Sequence, residues 1–218
     1  MKKLLLSFVL VCAVAASPAA AQQIILMDYT GFAYETGGVP TSVPGDVLVI
    51  TAVATSYDPM FGVSPLSQEV TIYIYDLVST GEFVSGSNTF ISYSCGKIEV
   101  YEDPVMDHDW GINPPNAGLP TFTNGSLLFE GMFSDFGLQL GSSGFGVYEG
   151  TIDGVGGTSA ALCDDLTDCA YTFGGAFQRE IAQVPEGYDL QIDGTLEVDA
   201  AVPAVQTSFG AVKALFNN

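Results

Sequence analysis

Tyr188-Asp-Leu-Gln-Ile-Asp-Gly-Thr-Leu-Glu-Val198 decides the fold class. Tyr188, Leu190, Ile192, Leu196 and Val198 fall on one side of an extended chain. Asp189, Gln191, Asp193, Thr195, Glu197 and the following Asp199 fall on the other. A period of two with one apolar side predicts a strand with a buried inner face and a solvated outer one. Its centre echoes two earlier stretches, Leu128-Phe-Glu-Gly-Met-Phe133 and Val147-Tyr-Glu-Gly-Thr-Ile152: apolar, acid, Gly, any residue, apolar. Glycine within a strand marks a bulge, a bend or a close backbone approach. Three strands bent at a similar place predict a curved sheet closing over a core. The unequal spacings exclude a solenoid.

The same alternation recurs through the chain. Ile24–Tyr34, Asp46–Tyr57, Gln68–Val78, Thr89–Cys95, Lys97–Glu102 and Ala170–Arg179 read as strands, with Gly96 as a kink or a break between the middle two. Val70, Ile72 and Ile74 point inward; Thr71, Tyr73 and Tyr75 point outward, as half-buried packing rather than a sugar-binding stripe. Residues 37–45, with two Pro and three Gly, and 104–125, with four Pro, read as loops; the second carries Trp110, Ile112 and Phe122 and is expected to be packed. Nine to eleven strands and no long amphipathic helix predict an all-β fold. The expectation is a two-sheet antiparallel β-sandwich of jelly-roll type over residues 22–200, with a closed barrel second. Residues 201–218 read as a linker and short tail, with a helix over Phe209–Phe216.

Residues 1–21 read as a signal peptide: Lys2 and Lys3, a short apolar run, and small residues at Ala19–Ala21. An extracellular or cell-surface location follows, with the periplasm as the other compartment, and no membrane span in the mature chain. Cleavage leaves Lys97, Arg179 and Lys213 against 25 acids. Such a chain repels phosphate backbones and anionic lipid, which argues against nucleic acid and bare membrane and favours cations and cationic polymers. In an oxidising compartment Cys163 and Cys169, flanking an acidic loop, are expected to form a disulfide. Cys95, in line with Ile91 and Tyr93, is expected to be buried and inert.

Candidate chemistry gathers in Cys95–Trp110. Glu102, Asp103, Asp107 and Asp109 sit there with His108 and Trp110, the only His and Trp of the chain. Calcium takes six to eight hard oxygens, so these four carboxylates are the candidate ligands; solvated acidic loops are the alternative. Asp164, Asp165 and Asp168 form a second, weaker cluster. Trp110 is the candidate platform for stacking a carbohydrate. A Ser–His nucleophile lacks its surroundings, phosphate-binding glycine motifs are absent, and with so many acids a glycosidase pair carries no information. The chain is therefore expected not to be an enzyme.

Ile98-Glu-Val-Tyr-Glu-Asp103, Phe122-Thr-Asn-Gly125 leading into Leu127-Leu-Phe-Glu-Gly131, and Phe173-Gly-Gly175 resemble the exported Gly/Asp-rich β-proteins associated with bacterial PEP-CTERM sorting. The resemblance implies an envelope or matrix protein. Its C-terminal anchor is not carried over, because Val202–Asn218 holds neither a Pro-Glu-Pro signal nor an apolar span with a basic cluster. The expected function is a non-catalytic structural or adhesive role in envelope or matrix, with a polymer or glycan as partner; a calcium-dependent carbohydrate-binding module is the alternative.

Overall fold

The computed structural model describes residues 22–59, 63, 67–158, 170–179 and 182–200. Nine strands follow in order: β1 (Gln22–Glu35), β2 (Val47–Tyr57), β3 (Glu69–Ser85), β4 (Asn88–Ser94), β5 (Lys97–Asp103), β6 (Ser126–Gly141), β7 (Phe145–Gly156), β8 (Ala170–Gln178) and β9 (Leu190–Ala200). Between β5 and β6 lie a 3-10 turn at Pro115–Ala117 and one helical turn, α1 (Pro120–Thr123). The signal peptide, the C-terminal helix, the Cys163–Cys169 disulfide and the second acidic cluster all lie outside the described residues. No helix among the described residues is long and apolar enough to cross a membrane.

The fold is all-β, but the expected two-sheet sandwich is wrong. Neighbouring strands pair antiparallel all round, and β1 closes the ring by pairing with β9 from Gln22–Ala200 to Ala33–Leu190. The result is an antiparallel barrel of eight staves. Nine strands make eight staves because β4 and β5 lie end to end between the same neighbours. β3 pairs with β5 along its first half and with β4 along its second, and β6 does the same on their other side. The break falls at Cys95 (φ 61) and Gly96 (φ 108). This left-handed pair turns Cys95 outward, so it is exposed, correcting the expectation of a buried thiol. Register shifts in β1, β3 and β6 bend these long strands around the ring.

Eight staves enclose a space that side chains can fill. They fill it with Tyr29, Phe129, Phe133, Phe136, Tyr148, Tyr171 and Phe173, among smaller aliphatics. Room for these side chains comes in part from the three echoed glycines, which all face inward. A Cβ on Gly131 would lie 2.3 Å from Ile152, one on Gly150 2.6 Å from Phe136, and one on Gly194 2.6 Å from the Tyr148 hydroxyl. Only Gly131 sits at a register shift, so what the three share is clearance, for isoleucine at Gly131 and for rings at Gly150 and Gly194, rather than a common bend. Tyr29 stacks on Phe173 with centroids 4.4 Å apart, and the buried Tyr148 hydroxyl donates to that of Tyr29 at 2.9 Å.

The outer wall is acidic. Glu99, Glu130, Glu149, Asp193 and Glu197 point away from the core in mid-strand, the inverse of a lipid-embedded barrel, whose lipid-facing band is apolar. Tyr73 and Tyr75 also face outward, stacked at 4.7 Å and half-buried. Tyr75 and Tyr101 both donate to Glu99, at 2.8 and 2.6 Å. Burial pushes the Tyr73 hydroxyl up to about 12.

One end of the core carries a carboxyl. Glu35 is buried, its Oε1 accepts the Ser42 hydroxyl at 2.5 Å, and Ser42 shares a 2.6 Å hydrogen bond with Ser79. Glu35 Oε2 and the nearby Tyr93 hydroxyl are buried without a hydrogen-bond partner. Burial raises the Glu35 carboxyl above its ordinary value, against the lowering effect of Ser42. A raised folded value means that the carboxyl favours folding below its unfolded pKa, and that this is lost as pH rises through the folded one. Glu35→Gln, which keeps an acceptor for Ser42, should therefore raise the melting temperature by a few degrees at pH 7. At a pH below the unfolded value it should change little. An equal change at both pH values would show that burial of charge is not what Glu35 costs.

Candidate metal centre

The β5–β6 connection, residues 104–125, lies on the outer wall over β2 and β3. Aspartates shape it locally, as expected of side chains that bond their own backbone two residues on. Asp103 Oδ1 accepts the Val105 N–H at 2.8 Å, and Asp109 Oδ1 accepts that of Gly111 at 2.7 Å. Apolar groups then pin it down. Phe122 is fully buried, and its carbonyl accepts the Thr71 hydroxyl at 2.8 Å. Trp110, half-buried, donates its indole N–H to Thr51 at 3.1 Å. Its ring meets His108, Phe32 and Phe122 at centroid distances of 4.8, 5.2 and 5.5 Å. This outer cluster stands apart from the barrel core. Tyr188 belongs to it through Phe32 rather than to the inner face of β9.

Three carboxylates converge at its edge. Glu69, the first residue of β3, pairs directly with Asp103, the last residue of β5. Asp107 reaches back from the loop, held by Asn124 Nδ2 on its Oδ1 at 3.0 Å. One oxygen from each of Glu69, Asp103 and Asp107 lies within 4.8 Å of the others. Glu69 is 7% exposed and Asp103 1%. Asp103 Oδ2 is buried with no hydrogen-bond partner.

Like charges directly opposite on adjacent strands are destabilising. Asp107 adds a third negative group within 4.8 Å of both. The offset within the chain is His108, whose Nδ1 lies 2.5 Å from Glu69 Oε2 while its backbone N–H donates to Oε1 at 3.1 Å. That is the sole ion pair among the described residues. Three carboxylates against at most one imidazolium leave a net negative, partly dehydrated pocket.

A span of 4.8 Å is about twice a calcium–oxygen distance, so all three oxygens can share one calcium. The donor set is hard and all oxygen. Zinc fits less well, because the single imidazole turns its Nδ1 to Glu69. With protein ligands on one side and open loop on the other, water would complete the shell of a calcium ion.

Of the four carboxylates singled out from sequence, Asp103 and Asp107 meet here. Glu102 does not: strand alternation sends it to the opposite face of β5, where it accepts from the Gln68 side chain. Asp109 is exposed and turned to Gly111. Trp110 is committed to packing and to Thr51 instead of standing free as a platform. Glu69 was missed, and its outward parity with Thr71, Tyr73 and Tyr75 is the one signal that could have found it.

Comparison with protein-family models, curated proteins and solved structures gives no match.

Proposed function

We propose that the chain is an exported, non-catalytic acidic barrel with a structural or adhesive role in an envelope or matrix, and that calcium locks its β5–β6 loop. The observation carrying the calcium reading is the buried cross-strand pair Glu69–Asp103, with Asp103 Oδ2 buried and without a hydrogen-bond partner and Asp107 close by. The filled interior supports a role on the outer surface rather than the carriage of a small molecule inside. The signal-like residues 1–21 and the excess of acids support export and a cationic environment.

Thermal melting with millimolar calcium and with chelator tests the site. A ligand bound by the folded state alone stabilises it by about 2.7 kcal/mol at a hundred times its dissociation constant. The expected result is a melting temperature several degrees higher in calcium. Asp103→Asn should abolish that difference, and Asp109→Asn should leave it intact. Identical melting in calcium and chelator would remove the cation from the reading. Fractionation that finds the protein only in the cytoplasm would remove the exported role.

A further inference from the structure

The ring leaves one stretch of backbone edge uncovered, where β3 outruns β2. The last β2–β3 pair is Val47–Val78. The β1–β2 loop carries the pairing one residue further: Ser79 donates its N–H to the Asp46 carbonyl at 2.7 Å, and its carbonyl accepts from the Gly45 N–H at 2.9 Å. Pro44 then stands beside Gly81, 3.2 Å from where a Cβ would lie. Beyond it, Glu82–Ser85 pairs with β4 on one side and, among the described residues, with no strand on the other. All four residues are exposed, Phe83 by 67% and Val84 by 59%. Ser85 and Asn88 close the two-residue turn Gly86–Ser87, so their backbone groups bond each other. Alternation along an antiparallel pair then turns the N–H and C=O of Phe83 towards β4, and those of Glu82 and Val84 towards the open side.

We propose that this edge pairs with the same edge of a second copy of the chain, antiparallel, about a two-fold axis through Phe83. The proposal goes beyond the calcium reading and uses none of its residues. The segment complements itself in only one register. Centred on Phe83, Glu82 of each copy exchanges both backbone hydrogen bonds with Val84 of the other, so the open N–H and C=O groups of both residues are met. Centred on Glu82, two carboxylates would stand directly opposite, which is destabilising. Centred on Val84, Glu82 would face the turn at Gly86, where the strand has ended. The Phe83 register also sets each Phe83 against its own copy in a non-hydrogen-bonded pair, the kind in which side chains stand closest. Phe83 shares the outer face with exposed Phe90, its partner on β4. The rings of one copy therefore continue across the axis into those of the other, covering apolar surface that a single copy leaves in water. The paired segment is short and the acidic excess of each copy opposes contact, so association is weak and strengthens with salt.

The test is sedimentation equilibrium of the full chain, in chelator so that the calcium site plays no part. A monomer–dimer equilibrium is expected at high micromolar to millimolar concentration, tightening as salt screens the charge. Val84→Pro removes an N–H that faces only the open side, and Phe83→Ser removes the ring pair. Each should weaken association about tenfold or more, with the circular dichroism spectrum unchanged. Val84→Lys sets a lysine opposite Glu82 of the other copy on both sides of the axis. It should tighten association severalfold beyond Val155→Lys, which changes the net charge equally at an exposed residue of β7. An equal response to the two lysines would overturn the register, and with it the proposal. So would a monomer at every concentration and salt, or a dimer that Phe83→Ser and Val84→Pro leave intact. Binding to phosphatidylcholine vesicles, abolished by Phe83→Ser and without self-association, would overturn it in favour of a lipid surface.

Discussion

Gly194→Val should leave little or no folded protein at ambient temperature. A Cβ at this position meets the Gly174 carbonyl oxygen at 2.2 Å, the Tyr148 hydroxyl at 2.6 Å and that of Tyr29 at 2.8 Å. The first of these is backbone of the neighbouring strand, so relief requires β8 and β9 to part. The others form the buried chain in which Tyr148 donates to Tyr29, and Tyr29 to the Gly174 carbonyl at 3.3 Å. Overpacking a core costs about 1–3 kcal/mol, and more when backbone must move. A loss above about 4 kcal/mol is expected against a total of about 5–15 kcal/mol for an ordinary domain. Urea titration reads it as a large drop in midpoint. Gly137→Val is the control: an outward glycine of β6, three staves away, should tolerate a side chain and gain strand propensity, with a change within about 1 kcal/mol. If Gly194→Val melts like Gly137→Val, the three echoed glycines are not there for clearance.

The second large effect is Phe122→Ala. This ring is fully buried yet lies outside the barrel, packed against both His108 and Trp110 on the outer wall. Truncating a buried phenylalanine costs about 3–5 kcal/mol. Here the loss falls on the loop, so its signature differs from that of an interior defect. Trp110 fluorescence should shift to the red as Phe32, His108 and Thr51 lose contact with the indole. Far-ultraviolet circular dichroism at low temperature should change little, because the staves do not depend on this ring. The calcium response should disappear as well, since Asp107 reaches Glu69 and Asp103 only while the loop is seated. A variant that keeps both its blue-shifted tryptophan and its calcium response would show that α1 does not hold the loop in place.

The strands themselves were legible. Alternation placed β3, β7 and β9 and told inside from outside, because a buried face and a wet face impose opposite choices at successive residues. What alternation cannot report is which strand lies beside which. A sandwich and a barrel share the same period, and closure depends on pairs such as Phe32–Gln191 from opposite ends of the described chain. The echoed Glu-Gly and Asp-Gly pairs held more than a bend: acid outside, glycine inside against a bulky side chain. The candidate site was half legible for the same reason. Asp103 and Asp107 are close in sequence and meet, while Glu102 fails by parity and Glu69 arrives only through the β3–β5 register. Cys95 misled because its parity is that of a strand, whereas the left-handed pair Cys95–Gly96 interrupts the stave just there.

The pairing of β1 with β9 also sets the order in which the molecule can assemble. Every other pair joins successive strands or, for β3–β5 and β4–β6, strands with one other between them in sequence. Ring closure is a contact of very long sequence separation, and such contacts slow folding. A chain delivered N-terminus first, from a ribosome or through a pore, cannot complete its barrel until β9 emerges. Until then β1 waits with an unpaired edge. The protein therefore stays open and threadable for almost the whole of its delivery, and becomes a closed object only at the end.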